Sequence, residues 1–186
     1  MFRRTVTVVV AFVFALVGGV VGGSAASADV GVAAVTITYD DSRAGEFAGA
    51  VAEGVAIWND TVSNVRIERA APGTRANVRV VADDGWPRAT LGPVYPGGSG
   101  TVWMGRQAVD QGYSVVRIAS HEFGHILGLP DMKPGPCSSL MSGSSAGVSC
   151  TNPNPDAREA AWVEDNYANA TPATAERDLV VVGWLD

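Results

Sequence analysis

Residues 121 to 131 read His-Glu-Phe-Gly-His-Ile-Leu-Gly-Leu-Pro-Asp, and no other stretch constrains the fold as tightly. Two histidines four apart on a helix project from one face, close enough for both rings to meet one ion. The segment from about Ser114 to Leu127 is therefore expected to be a helix with a metal on one side. Zinc takes imidazole nitrogen and, in catalytic sites, keeps one position for water. Glu122 lies beside the first histidine, where a carboxylate can take a proton from that water without itself binding the metal. Gly128 falls where a helix needs a left-handed residue to stop. Pro130 stiffens the turn that follows, which can bring Asp131 back toward the metal. The chain has two histidines, both in this string. The third protein ligand must then be a carboxylate if no thiol is free, and Asp131 is the one the turn offers. The alternative is a surface helix that merely spells H-E-x-x-H.

The start of the chain points to export. Met1-Phe2-Arg3-Arg4 is positive, Val6 to Val21 is an almost unbroken apolar run, and Ala26-Ser27-Ala28 is a small-x-small cleavage site. That order reads as a secretory signal peptide over residues 1–28. An uncleaved membrane anchor is the competing reading, because the run approaches spanning length. No cysteine follows the run, so lipid attachment there is not expected. Residues 29–186 then form one domain, long enough for one core. Lys+Arg falls from 13 to 11 against 19 Asp+Glu when the two leader arginines go, so the net charge moves from −6 to −8. So acidic a protein suits neither nucleic acid nor an anionic membrane surface. Protein or peptide substrates and a monomer are expected. No long segment separates the leader from the first strand, so latency through a built-in inhibitor is not expected.

Cys137 and Cys150 are the two cysteines. In an exported chain they are most simply a disulfide across a short loop, with two free thiols as the alternative. Closing a loop of about 14 residues contributes roughly 3 kcal/mol in the chain-entropy model.

Alternating β-branched residues place strands at Val35–Tyr39, Val65–Glu68 and Val78–Val81, and a short one at Thr101–Met104. Asp41-Ser42 supplies an N-cap for a helix carrying Phe47, Val51, Val55 and Trp58 to about Asn59. Residues 83–100 and 133–155 are rich in Gly, Pro, Ser or Asp and read as irregular. Asp156 with Glu159 forms a D-x-x-E cap that opens a last helix through Trp162 and Tyr167. The apolar tail, about 171–186, has no evident role. The pattern implies an α+β fold, with strands first and the metal helix and a C-terminal helix after them.

The string from His121 to Asp131 resembles the extended metzincin signature, with aspartate in place of the usual third histidine. That replacement, in a short chain, is similar to the snapalysin family of small secreted bacterial neutral metalloproteases. The resemblance extends from Val35-Thr36-Ile37-Thr38-Tyr39-Asp40 through Ile57-Trp58-Asn59 to Cys150-Thr151-Asn152-Pro153 and the last helix. It implies a metzincin-like domain, a twisted mixed sheet with an active-site helix and a C-terminal helix. It implies one zinc ion held by His121, His125 and Asp131, and Glu122 as general base. It also implies a Met-turn at Leu140-Met141-Ser142, with Met141 beneath the metal, and a Cys137–Cys150 disulfide. Without the resemblance, Met141 would read as core filling. The implied activity is zinc-dependent endopeptidase, cutting on the amino side of aromatic residues. The alternative is a secreted zinc-binding domain without catalysis, against which the intact Glu122 argues. Two places depart from the family pattern. Where the family carries a tyrosine two residues after the aspartate, this chain has Lys133, either an oxyanion donor or a solvated loop residue. Where the family binds calcium before the metal helix, Ser114 and Val116 stand, so calcium is not expected.

Overall fold

A computed structural model describes residues 34–168 and 180–185 of the 186-residue chain. The leader expected at residues 1–28 and most of the tail lie outside them. No described helix is long and apolar enough to cross a membrane.

The first alternating stretch runs further than its pattern predicts, as strand β1 over Val35–Arg43. Ile37, Tyr39 and Asp41 face inward at every second position, as the pleat requires. Asp41 and Ser42 are therefore strand residues and not the expected N-cap. The buried Asp41 carboxylate takes a two-pronged ion pair from Arg69 on the neighbouring strand, with Nε 2.7 Å from Oδ1. That partner settles Asp41 in the sheet against its local preference for a cap. The helix starts later, through a single 3-10 turn at Gly45–Phe47, and runs as α1 over Ala48–Thr61.

Strands β2 (Val65–Arg69) and β3 (Val78–Asp83) follow where expected. Residues 83–100 are not wholly irregular, because Arg88–Thr90 forms strand β4. β5 spans Gly100–Gly105, taking in both glycines that flank the expected Thr101–Met104. A short α2 (Arg106–Asp110) precedes α3 (Val115–Ile126). Ser114 caps α3 by accepting from the Arg117 amide. A 3-10 segment, Leu140–Ala146, lies in the region expected to be irregular. α4 spans Ala157–Tyr167 and opens with the Asp156/Glu159 capping box. The tail returns as strand β6, Val181–Gly183.

The sheet order is β2-β1-β3-β5-β4-β6. The first four of these pair in parallel, whereas β4 runs antiparallel to β5 and β6 antiparallel to β4. The α+β expectation with a mixed sheet holds. Helices α1 and α3 pack on each other, and α3 also meets β4 and β5. The Trp58 indole donates to the Ser120 carbonyl at 2.8 Å, tying the two helices together inside the core. The metal helix is thereby fixed from below, with its other side turned toward β4 and the tail.

Candidate metal centre

One face of α3 carries the chemistry. His121 and His125 project from successive turns with ring centroids 4.6 Å apart. Gly128, at φ +97°, ends the helix in the left-handed conformation that its position required. The chain then folds back, and Asp131 Oδ1 lies 3.3 Å from His121 Nε2 and 3.8 Å from His125 Nε2. The ligand atoms of all three residues fall within 4.8 Å of one another. None of the three has a hydrogen-bond partner, although all are buried. Buried polar atoms are rarely left so, and three facing one another fit a cation.

The other ring nitrogens are occupied. His121 Nδ1 lies 3.0 Å from the Leu140 carbonyl, and His125 Nδ1 lies 2.7 Å from that of Leu129. A carbonyl only accepts, so each Nδ1 carries the proton and each Nε2 keeps a lone pair. Burial, with His121 adding to it, pushes His125 down to about 3, so its ring is neutral as a ligand must be. Burial acts to raise the Asp131 carboxyl, but contact with His121, with the Lys133 charge adding to it, outweighs burial and holds it low. These residues fit zinc by donor type: two imidazoles and a carboxylate.

Glu122 is fully buried, and neither carboxylate oxygen has a partner. Burial pushes its carboxyl well above the usual range, with Asp131 adding to the effect and Lys133 and Arg88 opposing it. A carboxylate whose proton affinity is raised in this way suits a proton acceptor near neutral pH.

Met141 lies directly under α3. A side chain at Gly124 would place its Cβ 2.6 Å from Met141 Sδ and 3.3 Å from the Trp58 ring, so the glycine lets both approach between the two histidines. Two buried charged residues that the sequence did not single out as site residues hold this turn. The Arg117 guanidinium donates to the carbonyls of Asn152 and Ser139 and to Ser142 Oγ. Glu159, read only as a capping residue, accepts from the amides of Leu140 and Met141 and from Ser139 Oγ. The one available signal was a glutamate on the inward face of α4. Cys137 and Cys150 are joined, and close the same loop from outside.

Lys133 is not a solvated loop residue. Its side chain is 12% exposed and its Nζ stands 3.1 Å from Asp131 Oδ1. It donates to the carbonyls of Gly183 and Trp184 at 3.0 and 2.6 Å. The tail thus reaches the metal centre, which nothing in its composition announced.

Comparison with known proteins agrees with the geometry. Residues 34–170 match the model of the Streptomyces extracellular neutral proteinase (M7) family. The extracellular small neutral protease of Streptomyces coelicolor is 40% identical over 149 residues, 80% of this chain and 67% of that protein. Its namesake from Streptomyces sp. (strain C5) is 40% identical, over 79% of this chain and 62% of its own length. The one from Streptomyces caespitosus is 40% identical over 73% of this chain and 98% of its own. Among solved structures, archaemetzincin from Methanopyrus kandleri aligns with a TM-score of 0.43 at 16% identity, over 74% of this chain and 97% of that one. This chain belongs to the extracellular neutral proteinase (M7) family of secreted metalloproteases, the snapalysin family that the string from His121 to Asp131 resembles.

Proposed function

We propose that this chain hydrolyses peptide bonds of proteins outside the cell, with one zinc ion held by His121, His125 and Asp131. The observation that carries this reading is the convergence within 4.8 Å of three buried ligand atoms, two of them imidazole nitrogens without a partner, beside a helix that also presents an unpartnered Glu122. Zinc in that position supplies a Lewis acid for the scissile carbonyl and lowers the pKa of a bound water. Glu122 takes the proton of the attacking water and passes it to the departing amine. Asp131 completes the ligand set, and the Leu140 and Leu129 carbonyls keep both imidazoles in the ligating tautomer. Lys133 already donates to two peptide carbonyls, and in catalysis it would donate to the oxygen of the carbonyl under attack.

The preference for an aromatic residue on the amine side of the cut belongs to the same proposal. A mostly apolar cavity of about 260 Å³ adjoins the segment that carries Asp131, lined among others by Leu129, Met132, Met141 and Trp162. Its volume is sufficient for one aromatic ring. Calcium is left out of the proposal, because Ser114 is engaged as a helix cap. Residues 1–28 are proposed to be removed on export, leaving a monomer.

Glu122→Gln tests the reading, because it removes the base and spares all three ligands. The variant is expected to keep its zinc and its thermal midpoint while casein hydrolysis falls by about 10²–10⁴. Hydrolysis at the parental rate would show that Glu122 is not the base. A zinc-binding parent that stays inactive even after residues 180–186 are removed would favour a non-catalytic zinc-binding domain.

A further inference from the structure

The proposed activity leaves the C-terminal segment unexplained. Val180–Leu185 lies outside the residues matched by the family model, which end at 170. Yet it is built into the metal centre. β6 pairs antiparallel along β4, with Thr90 opposite Val181, Ala89 opposite Val182 and Arg88 opposite Gly183. The Leu91 amide donates to the Val180 carbonyl at 2.6 Å, and the Trp184 amide donates to the Pro87 carbonyl at 2.9 Å. The segment is thus a fully extended peptide laid on a sheet edge, the manner in which a cleft beside an edge strand takes up foreign peptide.

The next residue falls on the metal helix. Trp184 is fully buried, with its ring edge-to-face on His121 at 4.8 Å and on Tyr113 at 5.6 Å. Its indole N–H has no acceptor. A tryptophan docked for stability alone normally finds one, as Trp58 does. His121, Glu122 and His125 have no exposed surface beneath this cover, although a hydrolytic site needs room for water and substrate. The Lys133 ammonium holds the Gly183 and Trp184 carbonyls from the side. The hold is narrow: β6 has three residues, and Val180, Val181 and Leu185 are 60%, 48% and 51% exposed.

We propose that Val180–Leu185 is a built-in inhibitor, an arm of the chain that lies in the substrate's place along β4 and seals the metal centre with Trp184. Lys133 is its latch. Displacement or proteolytic loss of the arm opens the site, so activity and access to the metal rise together. Latency thus has its source after the metal helix and not before the first strand. The inference rests on the proposed peptidase function.

The test uses the zinc-loaded full chain, its Trp184→Ala variant, and a chain ending at Leu179 that keeps the whole family-matched segment. Two rates are measured: hydrolysis of a quenched fluorescent peptide, and surrender of zinc to a chromogenic chelator. Both are expected to rise at least tenfold in both altered chains. The synthetic peptide Val-Val-Val-Gly-Trp-Leu-Asp, added in excess to the shortened chain, is expected to return both toward the parental values. Equal rates in all three chains, or a peptide without effect, would overturn the proposal. Should the point variant not fold, the shortened chain alone decides. If no form hydrolyses any substrate while zinc release still accelerates, the arm stands and the peptidase reading falls.

Discussion

Trp58 and Trp184 are both fully buried, and both lie against α3, one at the Ser120 carbonyl and the other on the His121 ring. Trp58 sits in the last turn of a 14-residue helix and spends its N–H on the Ser120 carbonyl. Trp184 follows a three-residue strand and leaves its indole N–H unpaired. Equal burial therefore conceals unequal commitment. One indole belongs to the scaffold that holds the histidines, and the other rides on an arm that can leave as a unit.

The comparison breaks if the two substitutions cost the same. Trp58→Ala is expected to lower stability by about 3–5 kcal/mol, the range for a large aromatic truncated in a packed core. Trp184→Ala is expected to cost about 1 kcal/mol or less, because the rest of the arm detaches instead of leaving a cavity. Chemical denaturation of both variants measures the gap. Near-equal losses would make the tail part of the core.

The Met-turn sharpens the same contrast, since it is clamped from three directions. Replacing Cys137 and Cys150 with serine is expected to cost about 3 kcal/mol and to move the thermal midpoint clearly, whereas added calcium is expected to leave it in place. Glu159→Gln keeps the size of the side chain but loses the charge that four donors address. It is expected to cost about 2 kcal/mol and to weaken zinc retention through Leu140, whose carbonyl orients His121.

The smallest effect concerns β4, on which the arm lies. The Arg88 guanidinium holds the Asp83 carboxyl below its ordinary range, with the Gly85 amide helping and partial burial opposing. A depressed pKa in the folded state gives stability that is present above the ordinary value near 4 and lost as pH falls through the lower one. With both side chains partly in solvent, the amount is about 0.5 kcal/mol. Asp83→Asn should flatten the stability profile by that amount below pH 4.

The readable parts of this chain were those with local signals. The α3 helix, its Ser114 cap and the Gly128 stop are set by neighbours in sequence, so His121, Glu122, His125 and Asp131 could be placed by spacing. The Asp156/Glu159 cap was legible for the same reason. Asp41 was misread because a distant arginine, Arg69, outbids its capping tendency. β4 and β6 were missed because each is three residues long; β4 gains its hydrogen bonds from β5 and β6, and β6 gains its own from β4, about 90 positions away. Arg117 gave no local sign, and Glu159 only its inward position on α4, that carbonyls and amides of the Met-turn would bury them. The role of Lys133 depended on the tail, and the tail depended on β4.

The central claim is that His121, His125 and Asp131 hold one zinc ion. The most direct measurement is anomalous diffraction on crystals of the zinc-loaded protein, recorded on both sides of the zinc absorption edge. One peak per chain is expected, about 2.0–2.2 Å from His121 Nε2, His125 Nε2 and an Asp131 oxygen. A zinc peak away from these atoms, or none at all between them, would contradict it.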